Sequence, residues 1–244
     1  MAAAFDAFSS RSIDIGGESA SVSWAHTCTG TDLLLVMGVI CIGPPGSLNA
    51  TYNSVPLTLL ASKIDPGGTQ FAKMFIVLPP PTAGTFNFTI TQTAPLKSFA
   101  AAGLSMNGVR QVTQVSPHVD FYGTGQASVT VNGVSNDDLL FDFFLGNTGT
   151  TDVTPAETGQ VERGEVVGAS FARRIEVSTR PGTYNVSGAE NMSWNPNVVD
   201  FKWQVALTAF TAHTGPPTIP GGNVVANKTQ GIIVTTGFPA VGVV

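Results

Sequence analysis

From Val199 to Ala209 the chain alternates without a break: Val199, Phe201, Trp203, Val205 and Leu207 on one parity, Asp200, Lys202, Gln204 and Thr208 on the other. Strict period-two alternation belongs to a strand with one apolar face, because successive side chains in extended backbone point to opposite sides. The same pattern recurs in Phe86, Phe88 and Ile90 set against Asn87 and Thr89, and in Ala127, Val129 and Val131 set against Ser128 and Thr130. Leu33 to Ile42 and Leu139 to Leu145 are apolar on both parities, as expected of central strands covered on both faces. Between these segments lie Gly43-Pro-Pro-Gly46, Asp65-Pro-Gly-Gly68, Asn132-Gly133 and Arg180-Pro-Gly182, residues that turn a chain. No long stretch carries a helical period free of Gly or Pro. The pattern therefore predicts an all-β, antiparallel two-sheet sandwich of the jelly-roll or concanavalin-like kind.

A chain of 244 residues can form one large β domain. Charged residues are 11% of it, less than half of the roughly 25% usual for globular domains, so the surface must be made from Ser, Thr, Asn and Gln. A net charge of −5, with no basic run longer than Arg173-Arg174, lacks the electrostatic footprint of a nucleic-acid binder. Nucleic acid is not an expected partner. The longest apolar run, Leu33 to Ile42, is half of the about 20 residues a membrane helix needs, so no membrane is expected either. The start, Met1-Ala-Ala-Ala-Phe-Asp6, has no basic region, and Asp6 stands where a secretory signal is apolar, so no export signal is read there. Cys28 and Cys41 are too few for a disulfide framework or a zinc site; two small apolar thiols is the plain reading, a bridge between them the alternative.

Four stretches occur in a set order: Ala50-Thr-Tyr-Asn-Ser-Val-Pro-Leu-Thr-Leu-Leu60, Phe75-Ile-Val-Leu-Pro-Pro-Pro-Thr-Ala-Gly-Thr-Phe-Asn-Phe-Thr-Ile90, Ala102-Gly-Leu-Ser-Met-Asn-Gly-Val109 and Asn136-Asp-Asp-Leu-Leu-Phe-Asp142. Across roughly residues 18 to 210 this order resembles sandwich domains of tailed-phage virion proteins and of some bacterial surface proteins. The resemblance implies a jelly-roll module that serves as a head-decoration, head-fibre or tail-attached protein, in some relatives with suspected glycan binding. It carries no catalytic signature. The tandem copies or collagen-like stalk of many tail fibres are missing, which favours a compact decoration role. Virion proteins of a capsid or tail lattice are the implied partners, with a homo-oligomer, trimer or dimer, as the expected form. The chain would be made in the host cytoplasm and end in the virion. Asn53 is expected to turn a hairpin between Tyr52 and Val55, and Gly108 to permit a tight bend.

Composition changes after Ala212, so residues 1–212 are read as the sandwich and residues 213–244 as a Pro/Gly linker followed by an apolar C-terminal arm. Asn223 to Val244 has no acidic residue and Lys228 as its one basic residue. A solvated tail would be polar and charged; Ile232, Ile233, Val234 and Phe238 instead suit attachment to the sandwich or to a neighbouring subunit.

Catalytic chemistry has little to draw on. His26, His118 and His213 are the only imidazoles, and no Gly-x-Ser-x-Gly elbow is present. His26 reads as a sheet residue, His213 falls in the linker, and His118 shares a strand face with Asp120. Glu162 and Glu165, three apart, fall on opposite faces of a regular strand, unlike the same-face carboxylates of concanavalin-like glucanases. Asp137-Asp138 reads as a polar turn into a buried strand, and Asn136, Asp137 and Asp138 lack the spacing of a calcium loop. No enzyme, metal or cofactor is expected. For glycans, Trp194 and Tyr122 lie in loop-like sequence, with Asn191 and Asn195 as amide partners, and these four are the candidate ligand-binding residues of a carbohydrate- or receptor-binding alternative for cell-surface glycans.

Overall fold

The structure, a computed structural model, describes residues 2–42, 48–65, 67–77, 81–110, 119–122, 126–132, 134, 136–147, 152–168, 173–182, 189–195 and 202–209. These residues form strands and turns, every strand pair is antiparallel, and no helix occurs among them. The candidate arm residues Ile232, Ile233, Val234 and Phe238, with His118 and His213, lie outside the described residues.

The first seven strands are β1 (Ala4–Cys28), β2 (Leu34–Ile42), β3 (Leu48–Tyr52), β4 (Val55–Pro56), β5 (Thr58–Ile64), β6 (Gln70–Ile76) and β7 (Gly84–Asn107). They make one sheet in the order β4-β3-β7-β2-β6-β5, with β1 paired to β7. At 25 and 24 residues, β1 and β7 are several times longer than a usual strand of about 5–6 residues, because each serves two layers. On one edge β7 pairs with β3 over Phe88 to Gln92 and then with β2 over Ser98 to Met106. Between these stretches the β1–β7 register shifts, at Asp14/Ser19 and Ser19/Ser21, and the ribbon folds back on itself. Contacts between its halves show this directly: Trp24 and His26 of the later half of β1 both reach Ser9 of the earlier half. On the far side Leu57 alone separates β4 from β5, the two ends of the sheet path, so the sheet curls until its ends meet. The hairpin Tyr52↔Val55 turns on Asn53 and Ser54 at φ 50° and 64°, both left-handed, as the sequence suggested for Asn53. Gly108, at φ 66°, takes the bend expected of it.

Inside the folded ribbon, Phe88 stacks on Trp24 at 5.1 Å and meets Tyr52 at 4.9 Å between ring centroids. Leu35, Met37, Val39 and Cys41 of β2 close this core from the other layer. Cys28 and Cys41 are both buried, free thiols.

The remaining strands are β8 (Val119–Tyr122), β9 (Ser128–Asn132), β10 (Leu139–Asn147), β11 (Thr154–Pro155), β12 (Val161–Gly168), β13 (Arg173–Pro181), β14 (Ala189–Asn195) and β15 (Lys202–Ala209). They form a five-stranded sheet, β12-β13-β10-β15-β8, and a three-stranded sheet, β11-β14-β9. Phe141, Phe143 and Leu145 of β10 face Val36 and Ile40 of β2, which joins the five-stranded sheet to the curled one. Gly38 makes room for this packing: a Cβ there would stand 2.6 Å from the Phe143 ring. On the opposite face of β10, Leu140 packs with Val129, Val131 and Met192 of the three-stranded sheet, and Phe144 packs with Trp194.

The all-β, antiparallel expectation holds, with an addition to the two sheets read from the sequence. Among the described residues there are three hydrogen-bonded sheets, and the curled one supplies two layers, so the described strands make four layers around three interlayer spaces. This explains why both β2 and β10 are apolar on both parities. It also changes β15, whose polar parity is buried as completely as its apolar one.

Candidate functional site

Trp194 is the residue whose position differs most from the sequence reading. It lies in β14, not in a loop, with its backbone N–H donating to the Ala127 carbonyl at 3.0 Å. Its ring is completely buried, 5.9 Å from that of Phe144, and offers no face to a sugar. The strand alternates, so Met192 and Trp194 point inward while Asn191 and Asn195 are exposed. The Asn-rich flanks that suggested a loop are the outer parity of the strand. Tyr122 ends β8 opposite Trp203, also in a strand rather than a loop, and its side chain lies outside the described residues. Asn191 accepts from Thr130 at 2.7 Å and Asn195 from Gln126 at 2.9 Å, forming an exposed amide and hydroxyl row on the three-stranded sheet. The predicted quartet is thus split.

Beneath that sheet lies a buried polar network centred on Asp142, which is 0% exposed. One carboxylate oxygen accepts from the Ser178 hydroxyl; the other accepts from Trp194 Nε1 at 2.7 Å and Gln204 Nε2 at 2.6 Å. Burial raises the Asp142 carboxyl to about 6, against the pull of these three donors. Gln160 extends the network, donating to Ser178 at 2.8 Å and accepting from the Ser193 backbone at 3.1 Å. The group is closed to solvent and ties two sheets together.

A second network lies in the folded ribbon, where His26 bonds Ser9 through Nδ1 at 2.7 Å and Ser105 through Nε2 at 3.0 Å. Trp24 Nε1 can only donate and the Asp6 carboxylate only accept, so the ends of the chain set its direction. Trp24 donates to Ser9, Ser9 to His26 Nδ1, His26 Nε2–H to Ser105, and Ser105 to Asp6 at 2.7 Å. Burial lowers His26 to about 4, partly offset by Asp6, so the ring is neutral near pH 7. As the sequence suggested, His26 is a satisfied sheet residue.

The third cluster is the only one of these that opens to solvent. Glu165 of β12 stands opposite Glu176 of β13, and Glu162 opposite Ser178, so Glu162 and Glu165 share a face. The expectation of opposite faces fails because Arg163 bulges out of register between Glu162 and Gly164. The sequence signal was Gly164, an isolated glycine inside a strand pattern. Arg163 turns away, its guanidinium 4.7 Å from the Phe5 ring centre and its Nε donating to Thr179 at 2.7 Å. Arg174 sits among the acids and presents Nη1 to Asp152, to Glu165 at 2.9 Å and to Glu176 at 2.7 Å. Glu176 is 0% exposed, and burial raises its carboxyl to about 9, outweighing Arg174; Glu162 and Glu165 add to the rise. Burial also raises Glu162, helped by Glu165 and Asp152. Asp152, Glu165 and Glu176 each bring an oxygen to within 4.8 Å of the others.

A shallow groove of about 150 Å³ lies apart from these acids, lined by Tyr52, Asn53, Val55, Val77, Pro81, Thr82 and Phe86. It has room for one ring or branched side chain, too little for a glycan chain. No protein-family model, curated protein or solved structure matches this chain.

Proposed function

We propose that this chain is a non-enzymatic structural and binding protein of a phage virion, a jelly-roll-type subunit that decorates the capsid surface through subunit contacts. Residues 213–244 serve as its attachment arm. The observation that carries the non-enzymatic part is the placement of the titratable groups a catalyst would use. His26 and Asp142 are both buried, each held in hydrogen bonds between strands. A general acid or base must reach its substrate within hydrogen-bond distance, and these cannot.

The outer face of the folded ribbon supports the contact role. Across β1, β7 and β3, Ser21, Thr91 and Asn49 stand in one row and Ser23, Thr89 and Thr51 in the next. Such rows of uncharged hydroxyls and amides carry little desolvation penalty compared with charged surface, which suits a protein packed beside neighbours. The resemblance of the ordered motifs to tailed-phage sandwich domains supplies the virion setting.

The arm is tested by deleting residues 214–244 and comparing assembly with the full chain. Loss of the assembled state is expected; an unchanged oligomer and unchanged particle attachment would remove the arm from the account. A carbohydrate-binding reading retains one favouring observation, the exposed row of Gln126, Asn195, Thr130 and Asn191. A glycan array on the wild type and Asn191→Ala decides it, since absence of wild-type binding sinks that alternative.

A further inference from the structure

We propose that two copies of this chain join edge to edge along β5, about a two-fold axis at Ser62. This rests on the reading that the molecule works through subunit contacts, and it names the contact.

The path of the curled sheet has two ends, β4 and β5. β4 is two residues long and one of them is Pro56, which has no N–H, so it offers little to another strand. β5 is seven residues long, pairs with β6 on one side and has no described strand on the other. The Asp65 N–H donates to the Gln70 carbonyl at 2.9 Å, and bonded pairs alternate along an antiparallel ladder. The bonded pairs are therefore Asp65 with Gln70, Lys63 with Ala72 and Ala61 with Met74, and the backbone N–H and C=O groups of Ser62 and Ile64 point outward. Among the described residues no backbone group answers them. Such a row of unpaired donors and acceptors is a template for another strand.

The side chains make this edge complementary to itself. Leu59, Ser62 and Ile64 stand opposite Phe75, Lys73 and Phe71, and directly opposed residues share a face, so the three lie on one face of β5. The bulge at Leu60 brings this about: Leu60 and Ala61 pack inward, while Leu59 and Ile64, each 49% exposed, flank the small Ser62. A two-fold axis through Ser62 sets Ser62 against Ser62, where both outward backbone groups are exchanged, and brings Ile64 of each copy to Leu59 of the other. Charge agrees with this register. Lys63 is the one charged residue from Val55 to Ile64, it lies on the opposite face, and it falls across from Ala61 of the second copy. No like charges stand directly opposite each other. Because the same edge serves both copies, pairing closes at a dimer. A strand edge about 23 Å long covers well under the about 800 Å² per partner of a stable complex, so the dimer forms and dissociates with concentration.

Sedimentation equilibrium of the full chain over a concentration series tests the edge, and the wild type should fit a monomer–dimer equilibrium. Ser62→Pro removes an outward N–H and leaves the bonds to β6 in place, and Ile64→Lys sets a charge at the contact without touching the backbone. Each should weaken the dimer by about tenfold or more, whereas Val161→Lys, an equal change at an exposed valine of β12, should leave it unchanged. Ser62→Cys adds an accessible thiol to a chain whose Cys28 and Cys41 are both buried, and mild oxidation should link two copies through it. Ser128→Cys, exposed on β9, should give no linked dimer. An odd-numbered oligomer, or a dimer that Ser62→Pro and Ile64→Lys leave intact and Ser62→Cys does not cross-link, overturns this inference and leaves the contact reading standing. A strict wild-type monomer overturns both.

Discussion

His26 and Ser105, 79 residues apart in sequence, share a 3.0 Å hydrogen bond across the core of the folded β1–β7 ribbon. The bond exists because a single pair of very long strands bends back on itself, which brings the two halves of each strand face to face. It also fixes the histidine as the neutral tautomer with its proton on Nε2, since Ser9 donates to Nδ1.

Protonating His26 would place a second donor against Ser9 and a charge in the core, so acid should weaken the fold here. The sign follows from the folded value of about 4 lying below the unfolded value of 6.5. The contribution is whole above pH 6.5 and is lost as pH falls towards 4, amounting to about 3 kcal/mol. His26→Gln does not titrate in this window. Urea unfolding at a series of pH values should show the wild-type advantage over His26→Gln shrinking by about that amount between pH 6.5 and 4; a constant gap would contradict the neutral buried ring.

Asp142 runs in the opposite direction. Its folded value of about 6 lies above the usual 3.8, so the favourable contribution is present below pH 3.8 and is lost as pH rises through 6. Wild type should therefore lose about 3 kcal/mol relative to Asp142→Asn between pH 4 and 7, read from the same denaturant titrations. Asp142→Leu, which strands Trp194 Nε1 and the Gln204 amide, should cost about 3–5 kcal/mol at neutral pH.

Trp194 and Asn191 stand three residues apart on one strand and should behave as core and surface. Trp194→Ala should destabilise by about 3–5 kcal/mol, whereas Asn191→Ala should stay within about 0.5 kcal/mol. Equal, small effects in equilibrium unfolding would place the indole outside the core.

Gly103 and Gly38 are spaces kept for aromatic rings. A Cβ on Gly103 would run into Phe88, and one on Gly38 into Phe143. Gly103→Ala and Gly38→Ala should each destabilise by about 1–3 kcal/mol through overpacking, although alanine favours extended backbone over glycine. Thermal midpoints at or above wild type would mean that these layers sit further apart than described.

The periods of the sequence reveal much of this fold, because alternation depends only on the local backbone. The one-sided strands at Ser128 to Asn132 and around Phe88, the two-sided burial of β2 and β10, and the Asn53-Ser54 hairpin were all readable in that way. Alternation reports the polarity of a face, however, and not whether another layer covers it. Lys202, Gln204 and Thr208 look like a solvent face and are buried beneath the three-stranded sheet. Trp194 escapes a local reading for a related reason, since asparagines on the outer parity of a short strand look like loop sequence. The carboxylate cluster depended on a bulge at Arg163 that rephases Glu162 against Glu165, and one displaced residue reverses any same-face argument. The folding back of β1 and β7 is a long-range pairing that no local pattern encodes.

The central claim is that the molecule works through contacts between folded subunits, with His26 and Asp142 sealed between layers. Sedimentation equilibrium of the full 244-residue chain over a wide concentration range tests it most directly. The account predicts a defined homo-oligomer, dimer or trimer, and a strict monomer at the highest concentration would contradict it.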